Sequence, residues 1–417
     1  MAAERLVRSI FLSFFALQLA VEAGLLALHL HRASHSRGVP APLEGHVDSA
    51  TAERSRAYTL ARGRLALVSM VGSAAATLLA LFSGVLPWLD RALSGLGLKG
   101  ANLFVAFLCV LGLASAAAAT PLSLYATFVL EARFGFNRMT PRLWIADRLK
   151  SLAISALIGI PLLYASYTLV RFGGALWWIW LFGFLAVFEV AMLWAFPVLI
   201  MPRFNRFEPL PAGPLRERLS SLSREAGFRN RGLFVMDASR RSTHSNALFA
   251  GLFRPRIILF DTLVAKMSID EAASVLAHEI GHFRRHHLQR MLAVSLSSLF
   301  AVLAVVSRLL PWPPFYAAFG FSVPSFHAAA ALLALCGGAF VFWLTPLSSY
   351  FSRRHEYEAD LYAVRLARAP AALKSALLRL STESLGNLHP HPWYSAWHYS
   401  HPVLVERLRA IERAATT

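Results

Sequence analysis

The residues whose types and spacing could do chemistry are His278-Glu279-Ile280-Gly281-His282. On a helix, positions i and i+4 share one face, so His278 and His282 can turn both imidazoles toward a single metal ion. Glu279, between them, can reach a water on that ion. The chemistry this predicts is hydrolytic: the ion acidifies the water and polarises a carbonyl, and the glutamate takes the proton. A catalytic zinc needs a third protein ligand and an open position. The stretch Ser352 to Asp360 offers one. Glu356 and Asp360 are again i and i+4 on a predicted helix, so one can bind metal while the other holds a ligating histidine from behind. His355 is a rival ligand, and Glu358 points to a different face. Read alone, the same stretch is a charged helix at a membrane edge, with Arg353 and Arg354 turned toward lipid headgroups.

The histidine pair needs a helix to carry it, and Ser268 with Glu271 three residues later has the spacing of a capping box at its start. Upstream, Leu233–Met236 and Ile257–Phe260 read as short strands bounded by turn residues. Pro202, Pro209, Pro211 and Pro214 mark the entry to this unit, which spans residues 201–290. His286 and His287, just past the pair, are expected on a basic solvated face.

The rest of the 417 residues is apolar. Lys and Arg number 41 against 23 Asp and Glu, a formal charge of +18, yet only 15% of residues are charged, 56% are hydrophobic and the mean hydropathy is +0.51. An ordinary soluble domain carries about 25% charged residues, and a disordered basic tail lacks such apolar content. Both classes are excluded. Seven runs are long enough to cross a bilayer, which takes about 20 apolar residues: 9–30, 65–87, 101–130, 151–170, 174–200, 291–307 and 327–348. The third contains Pro121 and is expected to tilt, break or extend beyond the membrane. Arg5 and Arg8 precede the first run, but no small-x-small cleavage site follows, so it reads as a retained span. Cys109 and Cys336 lie inside apolar runs, which indicates neither a disulfide nor a thiolate zinc site.

Segments 31–64, 131–150, 201–290 and 349–417 hold 35 of the 41 basic residues and alternate with segments that hold 6. The positive-inside rule then puts the N-terminus outside and the histidine motif on the cytoplasmic side. The charge is a topology signal, so the expected partner is a lipid bilayer and not nucleic acid. The organisation expected is spans one to five with their loops in 1–200, a non-membrane unit in 201–290, spans six and seven in 291–348, and a segment completing the metal site in 349–417.

Further stretches carry a resemblance. Val39-Pro40 through Gly45, Ser55 to Leu60, Pro121 to Tyr125, Phe134 to Asn137 with Thr140-Pro141, Ser239 to Asn246 and Ser395 to Arg407 resemble the type 1 CAAX prenyl protease family of seven-span zinc metalloproteases. The resemblance implies an all-α polytopic membrane fold, seven transmembrane helices around a water-filled chamber, with a small α+β metalloprotease domain. It implies one zinc ion held by His278, His282 and Glu356, with Glu279 as general base and Asp360 orienting a ligand. It places Asn246 and Ala247 on an edge strand that pairs with an extended peptide, although on residues alone Asn246 reads as a turn residue. His401, in a Ser-His-Pro turn, would donate to the oxyanion, and Arg407 would brace the site by a charge pair. Val403 departs from the family's pattern, where many relatives have a second proline.

The substrate implied is a peptide or protein. Arg outnumbers Lys 37 to 4, which points to GC-rich coding and a bacterial inner membrane, where misfolded or stalled membrane polypeptides are the expected substrates. In an endoplasmic reticulum or nuclear membrane, prenylated CAAX C-termini would take that place. The alternative from another class is a seven-span transporter or receptor with a structural metal site.

Overall fold

A computed structural model describes residues 1–228, 232–251 and 256–416. Among these, seven helices are long and apolar enough to cross a membrane. The first five begin with α1 (Ala2–His35), α2 (Ser49–Phe82) and α3 (Gly100–Tyr125). They end with α4 (Pro141–Phe172) and α5 (Trp177–Ala195). Most overrun their apolar stretches, because polar ends go on forming helical hydrogen bonds once outside the apolar layer. Polar caps mark two starts: Asp48 accepts from the Thr51 N–H at 2.7 Å, and Thr140 accepts from the Leu143 N–H at 3.2 Å.

Two boundaries differ in kind from the expectation. The second run was expected to reach residue 87, but α2 ends at Phe82, where Gly84 adopts the left-handed conformation (φ 81°) and opens a separate helix, Val85–Gly95. The third stays helical through Pro121 and extends as a π-helical turn, Ala126–Glu131.

After α5 the chain builds a small mixed unit. Four strands, β1 (Phe207–Pro209), β2 (Leu233–Met236), β3 (Ala247–Ala250) and β4 (Arg256–Phe260), form a sheet in the order β1-β2-β4-β3. The pair β2/β4 is parallel, and β1 and β3 are antiparallel edges. Against the sheet pack α6 (Pro214–Glu225) and α7 (Ile269–Arg284), burying Leu219, Leu222, Ile257, Leu259 and Leu276 in one core. Area-scaled burial of such side chains is worth about 1.5–3 kcal/mol each, which anchors α7 as a fixed platform.

The chain then returns to long apolar helices, α8 (His287–Leu309) and α9 (Phe326–Val341). One 3-10 turn, Phe342–Leu344, joins α9 to α10 (Thr345–Ala367) in a continuous 42-residue helical segment. The last elements, α11 (Pro370–Glu383), α12 (Pro392–His398) and α13 (Leu404–Thr416), fold back on α7 and α10.

Candidate metal centre

The cap of α7 forms as expected: Ser268 accepts from the Glu271 N–H at 3.2 Å, and Glu271 accepts from the Ser268 N–H at 2.8 Å. Three turns along, α7 crosses α10 at Gly281. A Cβ there would lie 3.0 Å from Ala359 Cα and 3.1 Å from Tyr362 Cβ, so the absence of a side chain permits the close approach. That approach brings Glu356 to the histidine pair.

Ligand atoms of His278, His282 and Glu356 all lie within 4.8 Å of one another. His278 Nε2 is 3.1 Å from His282 Nε2, His278 Nε2 is 3.5 Å from Glu356 Oε2, and His282 Nε2 is 3.3 Å from Glu356 Oε1. Glu356 is buried, and its Oε2 has no hydrogen bond. Arg407 Nη1 stands 3.4 Å from that oxygen without donating a hydrogen bond to it, so a lone pair of this buried carboxylate stays open to a metal ion. Two imidazole nitrogens and one carboxylate oxygen also form a donor set that suits a catalytic zinc. The residues fit a metal ion.

Behind the cluster, Asp360 Oδ1 lies 2.8 Å from His278 Nδ1. Arg407 clamps Asp360 with two bonds, Nε to Oδ2 at 2.8 Å and Nη2 to Oδ1 at 2.7 Å, and its Nη1 is 3.4 Å from Glu356 Oε2. Both Asp360 and Arg407 are buried. Burial alone would lower the basicity of His278, but the carboxylates of Asp360 and Glu356 outweigh it and lift its pKa to about 9 without a metal. Glu279 sits half-buried on the same helix, and burial raises its pKa above the usual carboxylate range despite the neighbouring histidines.

His401 Nε2 is 3.4 Å from Glu356 Oε1, its ring is 64% exposed, and Ser400 Oγ lies 2.9 Å from its Nδ1. The end of α12 and the turn leading to His401 are held from α10: Arg353 Nη1 donates to the carbonyls of Ser395, Ala396 and Tyr399, at 3.2, 3.0 and 3.0 Å, and Ser349 donates to that of Trp397 at 2.8 Å. Arg353 therefore ties down the end of α12 and the turn after it, and does not serve as a lipid-facing side chain.

On the other side, β3 is a sheet edge beside α7. The Asn246 carbonyl accepts from the Phe260 N–H at 3.0 Å, which makes Ala247 and Leu259 a pair whose backbone groups point away from each other. Ala247 thus turns its N–H and C=O to the free edge, while its side chain is buried. Asn246 is exposed, and its Oδ1 accepts from that Ala247 N–H at 2.8 Å. It stands just ahead of the edge strand β3, with its carbonyl already bonded to β4.

One sequence expectation is corrected. His287 does not lie on a solvated face; it is buried, with Nδ1 2.9 Å from His282 Nδ1 and Nε2 3.2 Å from Glu358 Oε2. The reason is a corner at His286, which takes the left-handed conformation (φ 58°), so His287 starts a new helix and turns inward. His355 stacks on His287, with ring centroids 4.1 Å apart, and stands outside the ligand cluster.

Comparison with known proteins matches residues 29–206 to the CAAX prenyl protease N-terminal family, five membrane helices, and residues 209–415 to peptidase family M48. The chain is 36% identical over 399 residues to CAAX prenyl protease 1 homolog of Oryza sativa, covering 93% of each. It is 37% identical over 404 residues to CAAX prenyl protease 1 of Saccharomyces cerevisiae, covering 90% of this chain and 88% of the yeast protein. The crystal structure of S. mikatae Ste24p superposes with a TM-score of 0.91 at 32% identity, covering 97% of this chain and 99% of that one. These likenesses carry the multi-pass fold of seven helices around a chamber and the zinc metalloprotease class, and none of them speaks for a transporter or receptor. The chain belongs to the CAAX prenyl protease 1 family of membrane metalloproteases.

Proposed function

We propose that the protein hydrolyses internal peptide bonds of an extended polypeptide, with one zinc ion held by His278, His282 and Glu356. The observation that carries this reading is the convergence of those three side chains beside Glu279, within a fold that also presents β3 as an edge strand among the described residues. When bound, zinc would supply Lewis acidity to polarise the scissile carbonyl. Glu279 takes the proton from the attacking water, and its raised pKa brings it nearer to neutrality, where a general base and acid works best. The Ala247 N–H and C=O pair with the substrate backbone, displacing the Asn246 side chain, so register is set without reading sequence. His401, exposed and close to Glu356, donates to the oxyanion as it forms. Asp360, locked by Arg407, holds His278 Nδ1 and so turns Nε2 to the ion.

The catalytic unit is assembled from segments 201–290 and 349–417, on either side of the last two spans, and faces the cytoplasm across a lipid bilayer. The uneven distribution of basic residues supports that orientation. Substrate choice lies between prenylated CAAX C-termini, which the relatives' names favour, and unprenylated membrane polypeptides, which the arginine-rich composition favours. The decisive experiment incubates purified protein with farnesylated, unmodified and unfolded membrane peptides, alongside Glu279→Gln. The variant is expected to keep one zinc per chain and lose about 10²–10⁴-fold in cleavage. Undiminished turnover would refute the mechanism, and strict dependence on the farnesyl group would exclude the broader role.

A further inference from the structure

The two histidines of α7 stand in different surroundings, and the support of His282 has no counterpart in the roles given so far. His282 Nδ1 faces His287 Nδ1 at 2.9 Å, and His287 Nε2 faces Glu358 Oε2 at 3.2 Å. If His282 gives Nε2 to the metal, its one proton sits on Nδ1, because a neutral imidazole carries a single N–H. That N–H must donate to His287 Nδ1, which is bare in order to accept. The proton of His287 then sits on Nε2 and points at a carboxylate, which when ionised can only accept. Each link fixes the next, and the direction of the chain is set at its far end.

The geometry leaves His287 little freedom. Its side chain is 3% exposed and its ring lies against that of His355, with an interplanar angle of 15°. Glu358 is in turn held by Arg290 Nη1 at 3.2 Å and Arg354 Nε at 3.4 Å. We infer that His287, oriented by Glu358, is the positioning residue for the second metal-ligating histidine, holding His282 in the tautomer that turns Nε2 toward the ion. The inference rests on His278, His282 and Glu356 being the ligands, as proposed above.

Metal affinity tests it in the full-length protein purified in detergent. Zinc affinity is measured by competition with a chromophoric chelator, and cobalt(II) is substituted to record the ligand-field absorption spectrum. His287→Phe keeps a ring to stack on His355 but offers no acceptor, and it is expected to weaken zinc binding by about 10–100-fold and to shift the cobalt bands. His287→Asn places Oδ1 near the lost Nδ1 and is expected to recover most of the affinity and the native spectrum. Wild-type affinity and spectrum in His287→Phe would overturn the inference. So would equal losses in both variants accompanied by a matching fall in thermal midpoint, which would mark a packing role. If the wild-type protein bound no zinc, or His278→Ala bound it normally, the ligand assignment itself would fail, and the two failures are thereby told apart.

Discussion

His278 and His282 stand one helical turn apart, yet they draw their support from different depths of the molecule. His278 meets a carboxylate directly, and Asp360 is buried and gripped twice by buried Arg407. His282 reaches its carboxylate through a second imidazole, and Glu358 is held by two arginines whose side chains are 52% and 64% exposed. The first arm is short, dry and electrostatically closed. The second is longer and ends near solvent, where screening weakens each pair. With His278 and His282 as the proposed metal ligands, the first arm would serve folding as well as metal binding, and the second mainly ligand orientation.

Replacing Asp360 by Ala should separate the arms most sharply. It leaves the buried Arg407 charge with only Glu356, 3.4 Å away, and breaking a buried pair by removing one partner typically costs about 3–5 kcal/mol, so both thermal midpoint and zinc content should fall. A variant with unchanged midpoint would show that the buried arm has no role in folding. Gly281→Ala acts on both arms at once, since a Cβ meets Ala359 backbone and pushes α10 from α7. Overpacking of this kind costs about 1–3 kcal/mol, and zinc affinity should drop although no ligand has changed. Unaltered affinity would mean that the helix spacing tolerates a methyl group.

A pH comparison of metal-free and zinc-loaded protein sharpens the picture of the buried arm. Without metal, His278 is raised from 6.5 to about 9, so its contribution to stability is complete below about pH 6.5 and is lost as pH rises through 9. With zinc the dependence reverses, because the ligands must be deprotonated and acid competes with the ion. The two thermal-midpoint curves should therefore converge on acidification, and parallel curves would exclude His278 as a ligand. The smallest change belongs to the exposed arm: Arg354→Ala should cost less than about 1 kcal/mol in unfolding free energy, because Arg290 still holds Glu358. A larger loss would show that the exposed pair is not screened as assumed.

Much of this was legible in the sequence. The i, i+4 histidines, the Ser268 cap, the two central strands and the second i, i+4 pair are local patterns, and local patterns survive into the fold. Glu358 was correctly placed on a different face from Glu356 and Asp360. What that face meets was hidden, because it depends on the corner at His286. Continued as one helix, His287 would fall among Arg284, Arg285 and Arg290 and be taken for solvated surface; one residue with φ 58° redirects it into the interior. Arg353 was obscured for a related reason, since its partners are carbonyls about 42 to 46 residues away. The need for glycine at 281 was equally invisible, as it reflects a crossing of two helices and not a turn.

The helical segment that carries Glu356 is one of the seven long and apolar enough to cross a membrane, so a metal held by Glu356 would share a lever with the span. Glu356 lies 12 residues beyond Leu344, about 18 Å at 1.5 Å per residue. Rotating that arm by about 3° would move the carboxylate by about 1 Å, half the length of a zinc–oxygen bond of about 2 Å. Spans tilt to match the thickness of the surrounding hydrocarbon. The close approach of Gly281 to Ala359, three residues past Glu356, would resist such rotation. A change in tilt of that span would then reach the proposed metal site along this helix, across the 3-10 turn at Phe342–Leu344.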